Sequence, residues 1–153
     1  MFLTAHTSVA LLISTKIINP FLGFILGFIS HFLIDIIPHG DEELDQKIIS
    51  LNRKEKFIFL TLIGLVDLFF SLILVYFFIK YSTTNNNVIY FTVLGSWLPD
   101  ILWLSIDFFN VKFLGFFIKF HTYMHTLIDY RYPIIYGIPL QIIFIVFISY
   151  FTY

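Results

Sequence analysis

Several histidines and aspartates of this chain stand at helical spacing inside apolar sequence. His31 and Asp35 are four residues apart, and His121, His125 and Asp129 repeat that step, so each group projects from one face of a helix. His39 and Asp41 follow Asp35 closely. Two imidazoles one turn apart can share a metal ion, and a carboxylate one turn further can join them or orient one of them. His6, Asp67 and Asp100 are the other ionisable groups in apolar surroundings, whereas Asp107 reads as a helix-end charge. An ionised Asp at the centre of a membrane helix costs about 2.5–3.5 kcal/mol on insertion scales. Lys119 is the only basic residue well inside an apolar stretch, so Asp35, Asp67 and Asp100 must be neutralised by protonation or by bound cations. A divalent cation held by neutral imidazoles and carboxylates does this and employs the histidines as well. The plainer readings are that His6 bonds to a neighbouring helix, that Asp67 is a protonated structural acid, and that His39 and Asp41 are cap and loop residues.

Six apolar stretches must position these groups: 3–18, 21–37, 57–79, 88–109, 111–128 and 133–153. Asn19-Pro20 and Pro38-His39-Gly40 break the pattern, since proline cannot continue a helix without losing a backbone bond. A single all-α membrane domain, residues 1–153, is expected, a polytopic bundle of five to six membrane-embedded helices. The first two stretches are short for spanning and could form a re-entrant hairpin. Residues 41–56 form a loop holding nine of the nineteen charged residues. Gly23 and Gly27 share a stripe with His31 and Asp35, and small residues at that spacing let another helix approach closely in lipid. Pro99 should kink its helix and free a carbonyl, tolerated at membrane depth only against protein or a water-filled cavity. Phe21-Leu22-Gly23-Phe24 before His31-Phe32-Leu33-Ile34-Asp35 is echoed by Phe113-Leu114-Gly115-Phe116 before His125-Thr126-Leu127-Ile128-Asp129, which makes an internal duplication possible.

Composition supports lipid as the solvent. The 153 residues are 59% hydrophobic and 12% charged, with a mean hydropathy of +0.91. Soluble domains carry roughly 25% charged residues. A net charge of −1 argues against a nucleic-acid partner, so membrane lipids are the expected partners. The absence of cysteine removes disulfides and thiolate ligands. The opening Met1-Phe2-Leu3-Thr4-Ala5-His6 lacks a basic segment and a small-residue cleavage pattern, and is expected to persist in the mature chain. With six spans, Lys47, Arg53, Lys54, Lys56 and Lys112 share the side of the N-terminus, against Lys16, Lys80 and Arg131 opposite. The positive-inside rule then places the N-terminus in the cytoplasm, in a prokaryotic cytoplasmic membrane. Tyr150 and Tyr153 suit an interfacial belt.

Thr4-Ala5-His6, the block from Gly27 through His31, Asp35, Pro38 and His39 to Asp41, and Gly95-Ser96-Trp97-Leu98-Pro99-Asp100 together resemble a family of small bacterial membrane proteins classed as metal-dependent hydrolases. That family is regarded as distantly related to the zinc-dependent phospholipase C and S1/P1 nuclease group. The resemblance implies that His6, His31, Asp35, His39, Asp100, His121 and His125 are metal ligands or their near neighbours, with zinc the expected metal in unknown number.

A divalent-metal-dependent membrane hydrolase of a phosphoester, lipid or lipid-linked, is the leading expectation. Asp67 or Asp100 would be a further ligand or the general base. A proton- or metal-ion-coupled transporter using the same groups as a path is the alternative, and a non-catalytic membrane scaffold or accessory protein is the second.

Overall fold

A computed structural model describes residues 1–40, 51–109, 111, 114–128 and 133–152. Six helices make up the described fold: α1 (Leu3–Ser14), α2 (Pro20–Asp35), α3 (Arg53–Tyr81), α4 (Asn86–Phe109), α5 (Gly115–His125) and α6 (Ile134–Tyr150). No strand occurs among the described residues.

Local chemistry sets several helix starts. The Asn19 side-chain oxygen accepts from the N–H groups of Phe21 and Leu22, and Pro20 fills the first turn, where a missing N–H costs nothing. The dipeptide that ends the first apolar stretch thus begins the second helix. At α3 a capping box is complete: Asn52 accepts from Lys54 and Glu55, and Glu55 accepts from the Asn52 N–H. After α2 the chain turns through Gly40, whose φ of 77° is the left-handed region that glycine adopts without strain.

Three helices are long and apolar enough to cross a membrane, within Lys54–Tyr81, Asn86–Ile106 and Ile134–Thr152. Of the five to six membrane-embedded helices expected, three among the described residues are thus long enough to cross, with α1 and α2 apolar but short. At 1.5 Å per residue α1 reaches about 18 Å and α2 about 24 Å, against a hydrocarbon thickness of roughly 30 Å. The sidedness argument built on six spans loses its premise. Asp41, Lys112, Phe113, Asp129 and Arg131 lie outside the described residues, as does the side chain of Asp107, so the proposed duplication can be compared only through helices of 16 and 11 residues.

The helices are staggered. Thr4 meets Asp67 and Ser71, while Ala10 and Leu11 pack with Val75 and Phe78, so α1 runs parallel to α3 and begins beside its middle residue, Asp67. α2 runs parallel to α4 at very close range. A Cβ on Gly27 would run into the carbonyl oxygen of Thr92, and one on Gly95 into the carbonyl of Phe24. These helices thus meet backbone to backbone, as small residues permit in lipid. α6 packs beside α1, where Phe144 and Ile145 cover Met1, Ala5 and Ile34.

Candidate metal centre

Ionisable side chains from four helices and the turn after α2 converge at the lower ends of α1 and α2. One ligand atom each from His6, His31 and Asp100 lies within 4.8 Å of the others, and the same holds for His31, Asp35 and His121 and for Asp35, His39 and His125. All seven ligand candidates named from the sequence are therefore neighbours in one cluster. His6, His31, Asp35, His39 and His121 are buried. Asp100 and His125 form the open edge, with side chains 29% and 23% exposed.

Asp35 is the hub. Its Oδ1 lies 2.9 Å from the Met1 amino group and 3.2 Å from His6 Nε2. Its Oδ2 lies 2.9 Å from His31 Nε2, 3.1 Å from His125 Nε2 and 3.9 Å from His121 Nε2. Asp100 Oδ1 stands 3.6 Å from both His31 Nε2 and His121 Nε2. The His6 and His31 rings stack with centroids 4.0 Å apart.

Tautomers can be read from the surroundings. His31 Nδ1 lies 2.8 Å from the Ser96 carbonyl, which only accepts, so Nδ1 carries the proton and Nε2 presents a lone pair. That carbonyl lies three residues before Pro99 inside α4. His39 Nδ1 is fixed in the same way, 2.6 Å from the Ile37 carbonyl, which leaves Nε2 as its ligand atom. The lone pair of His31 then faces oxygens of Asp35 and Asp100 and a nitrogen of His121, which lies 3.2 Å away. His6 Nδ1 is buried without a hydrogen bond, while His6 Nε2 and Asp35 Oδ2 meet only other groups of the cluster, Asp35 Oδ1 at 3.2 Å and the Nε2 atoms of His31 and His125 at 2.9 and 3.1 Å. Buried polar atoms without hydrogen bonds are costly. One proton relieves one pair, whereas a cation among them serves every lone pair at once. Nitrogen and carboxylate donors with no thiolate suit a borderline divalent ion such as zinc. The residues present fit a metal.

Charge leads to the same place. The Met1 ammonium answers one of the two cluster carboxylates. Among the described residues, no Lys or Arg side chain pairs with Asp35 or Asp100.

Asp67 occupies a different place from the one expected of a catalytic group. Its Oδ2 accepts the Leu3 N–H, and its Oδ1 accepts the Thr4 N–H at 3.0 Å together with the Thr4 hydroxyl. It caps the first turn of α1 from the middle of α3, a favourable seat for a carboxylate at the positive end of a helix. Lone pairs spent this way are not available to the cluster, and Asp67 belongs to none of the three ligand sets.

Two participants were missed in the sequence. Trp103 lies with its ring 6.2 Å from His121, and its position three residues after Asp100 was an available signal. Gln141 accepts from the Phe2 N–H at 2.9 Å and donates to the His39 carbonyl at 3.0 Å. A lone amide within 133–153 was the signal there. No protein-family model, curated protein or solved structure matches the chain, so its own geometry carries the functional reading.

Proposed function

We propose that the protein is a divalent-metal-dependent membrane hydrolase acting on a phosphoester, with zinc as the metal and a lipid or lipid-linked molecule as the substrate class. The observation that carries the reading is the convergence of seven imidazole and carboxylate groups with no Lys or Arg side chain, among the described residues, paired to their carboxylates. His6, His31, Asp35, His39, His121 and His125 would hold metal, with Asp100 at the edge. Neighbouring ligand sets share His31 or Asp35, so a site for more than one ion fits the spacing. A bound divalent ion supplies Lewis-acid stabilisation of negative charge and lowers the pKa of water to about 7.

The chain's own residues do the rest. Asp100, partly exposed beside two imidazoles, is placed to accept a proton from water entering at the open edge. Asp67 holds α1, and with it His6, in position. Near that edge Ile101, Tyr123 and Leu127 are exposed apolar residues, a rim that suits an amphiphile whose anionic head reaches the ions while its chains stay in lipid. The resemblance to membrane hydrolases points the same way. Lys47 before α3 and Arg53, Lys54 and Lys56 at its start, against Lys16 after α1 and Lys80 at the end of α3, favour an orientation with the start of α3 inside, and the resemblance implies a prokaryotic cytoplasmic membrane.

Transport would require polar groups through the membrane thickness. Among the described residues the buried hydroxyls of Thr7, Ser8, Ser14, Ser30, Thr92 and Ser96 donate to carbonyls of their own helices, and that of Ser71 meets Thr4 beside Asp67, which gives a path little support. This favours hydrolysis.

Metal analysis of purified protein tests the reading. Bound zinc or another transition metal is expected, with loss in the His31→Ala/His121→Ala variant and chelator-sensitive cleavage of lipid phosphoesters. Wild-type protein without metal, or unchanged content in the double variant, overturns it.

A further inference from the structure

The candidate metal centre draws side chains from α1, α2, α4, α5 and the turn after α2, yet α6 is bound to it as closely without giving a ligand. Gln141 is 2% exposed in an otherwise apolar helix. Its amide bonds in two directions at once, accepting from the Phe2 N–H and donating to the carbonyl of His39. One turn earlier on the same face, Gly137 lies so close to the His39 carbonyl and Gly40 that a Cβ there would collide with both. The backbone of His39 is thereby held against α6 at two points, one a hydrogen bond and the other a steric stop. Its imidazole is held by the Ile37 carbonyl. A buried amide in a membrane helix is costly unless both its groups are used, and here both are used on the frame of the cluster.

We infer that Gln141, with Gly137, is a positioning residue that fixes His39 and the start of α1 so that the ligand set of Asp35, His39 and His125 is formed before metal arrives. This rests on the metal-centre reading above, and it assigns α6 a role in loading one subset of ligands. Outer-shell partners of metal ligands characteristically control affinity through orientation.

The test titrates zinc into apo-protein and records cobalt(II) absorption for wild type, Gln141→Leu, Gly137→Ala, His39→Ala and the Gln141→Leu/His39→Ala pair, with exposed Ile142→Ala as control. Gln141→Leu is expected to weaken the last-bound ion by about 10–100-fold and to change the cobalt spectrum, with Gly137→Ala acting in the same direction. Added to His39→Ala, Gln141→Leu should lose the larger part of its effect, the part that passes through His39, and keep only what passes through the start of α1. Wild-type affinity and spectrum in Gln141→Leu would overturn the inference, as would an equal additional loss in the His39→Ala background, which marks general destabilisation. Should Gln141→Leu fail to fold, Gln141→Glu decides, since it keeps the acceptor for Phe2 and removes the amide donor to His39. Weakened metal binding supports the inference and wild-type binding overturns it. A wild-type protein that holds no metal removes the metal centre itself, a result distinct from all of these.

Discussion

Both carboxylate oxygens of Asp35 are engaged at once, one toward Met1 and His6 and the other toward His31 and His125. Replacing one oxygen by an amide NH2 removes a lone pair that a shared ion would use and the negative charge that answers the Met1 ammonium. Asp35→Asn is therefore expected to lose metal more completely than Asp100→Asn, and by more than the roughly 10–100-fold typical of an outer-shell partner. Metal per chain by mass spectrometry checks the order, and equal loss in the two variants would count against Asp35 as the hub. Asp67 separates from the cluster by the same kind of reasoning. Asp67→Asn keeps an acceptor for the N–H groups of Leu3 and Thr4, whereas Asp67→Ala leaves them bare at a cost of about 0.5–2 kcal/mol for a lost cap. Thermal unfolding in detergent should fall clearly for Asp67→Ala and little for Asp67→Asn, with metal content following stability. An Asp67→Asn protein that keeps its metal and stability yet has no turnover would return Asp67 to the chemistry.

The crossing of α2 with α4 decides whether His31 can reach Ser96 and Asp100, and it rests on the absence of side chains. Gly27 and Gly95 each abut backbone of the other helix, so Gly95→Ala must push the helices apart. Overpacking of this kind costs about 1–3 kcal/mol, and the resulting shift also stretches the His31–Ser96 bond. Lower thermal stability together with weaker metal binding is expected, read by calorimetry and zinc titration on one sample. Unchanged stability would mean that the helices can slide apart without loss. The glycine stripe and the His/Asp spacing on α2 were legible in the sequence because helical periodicity places them on one face. The number of crossing helices was not, because hydropathy registers an apolar run but not that α1 begins beside the middle of α3. The partner of Asp67 was hidden for a related reason: the N–H groups of Leu3 and Thr4 exist in every sequence and announce nothing until a helix start is placed against them. Gln141 was visible as a lone amide, but its partners are backbone atoms at Phe2 and His39, which no spacing rule connects to it.

At the scale of the whole molecule the stagger sets the depth of the centre. α3 is about 43 Å long, and Asp67 at its middle marks the level where α1 starts and where the cluster gathers. With α3 across the bilayer, the site would lie near mid-depth, with its open edge within reach of acyl chains. The chain holds two tryptophans, and they divide the labour of reporting on this. Trp97 donates to Thr7, the residue after His6, while the Trp103 ring lies 6.2 Å from His121. A Trp97→Phe protein thus carries a single tryptophan, beside the candidate metal centre. In vesicles its emission should be quenched most by lipids brominated near the middle of the acyl chain and least by those labelled at the headgroup. Cobalt(II) should quench it as well, at short range, and His31→Ala/His121→Ala should abolish the cobalt effect without changing the lipid profile. Quenching that is strongest from the headgroup would move the centre to the membrane surface and turn the preferred substrate from an embedded lipid to a soluble phosphoester. Cobalt quenching that survives loss of both histidines would leave the ion on Asp35, His39 and His125, the set that contains neither, and quenching that survives a further His39→Ala would place the metal elsewhere.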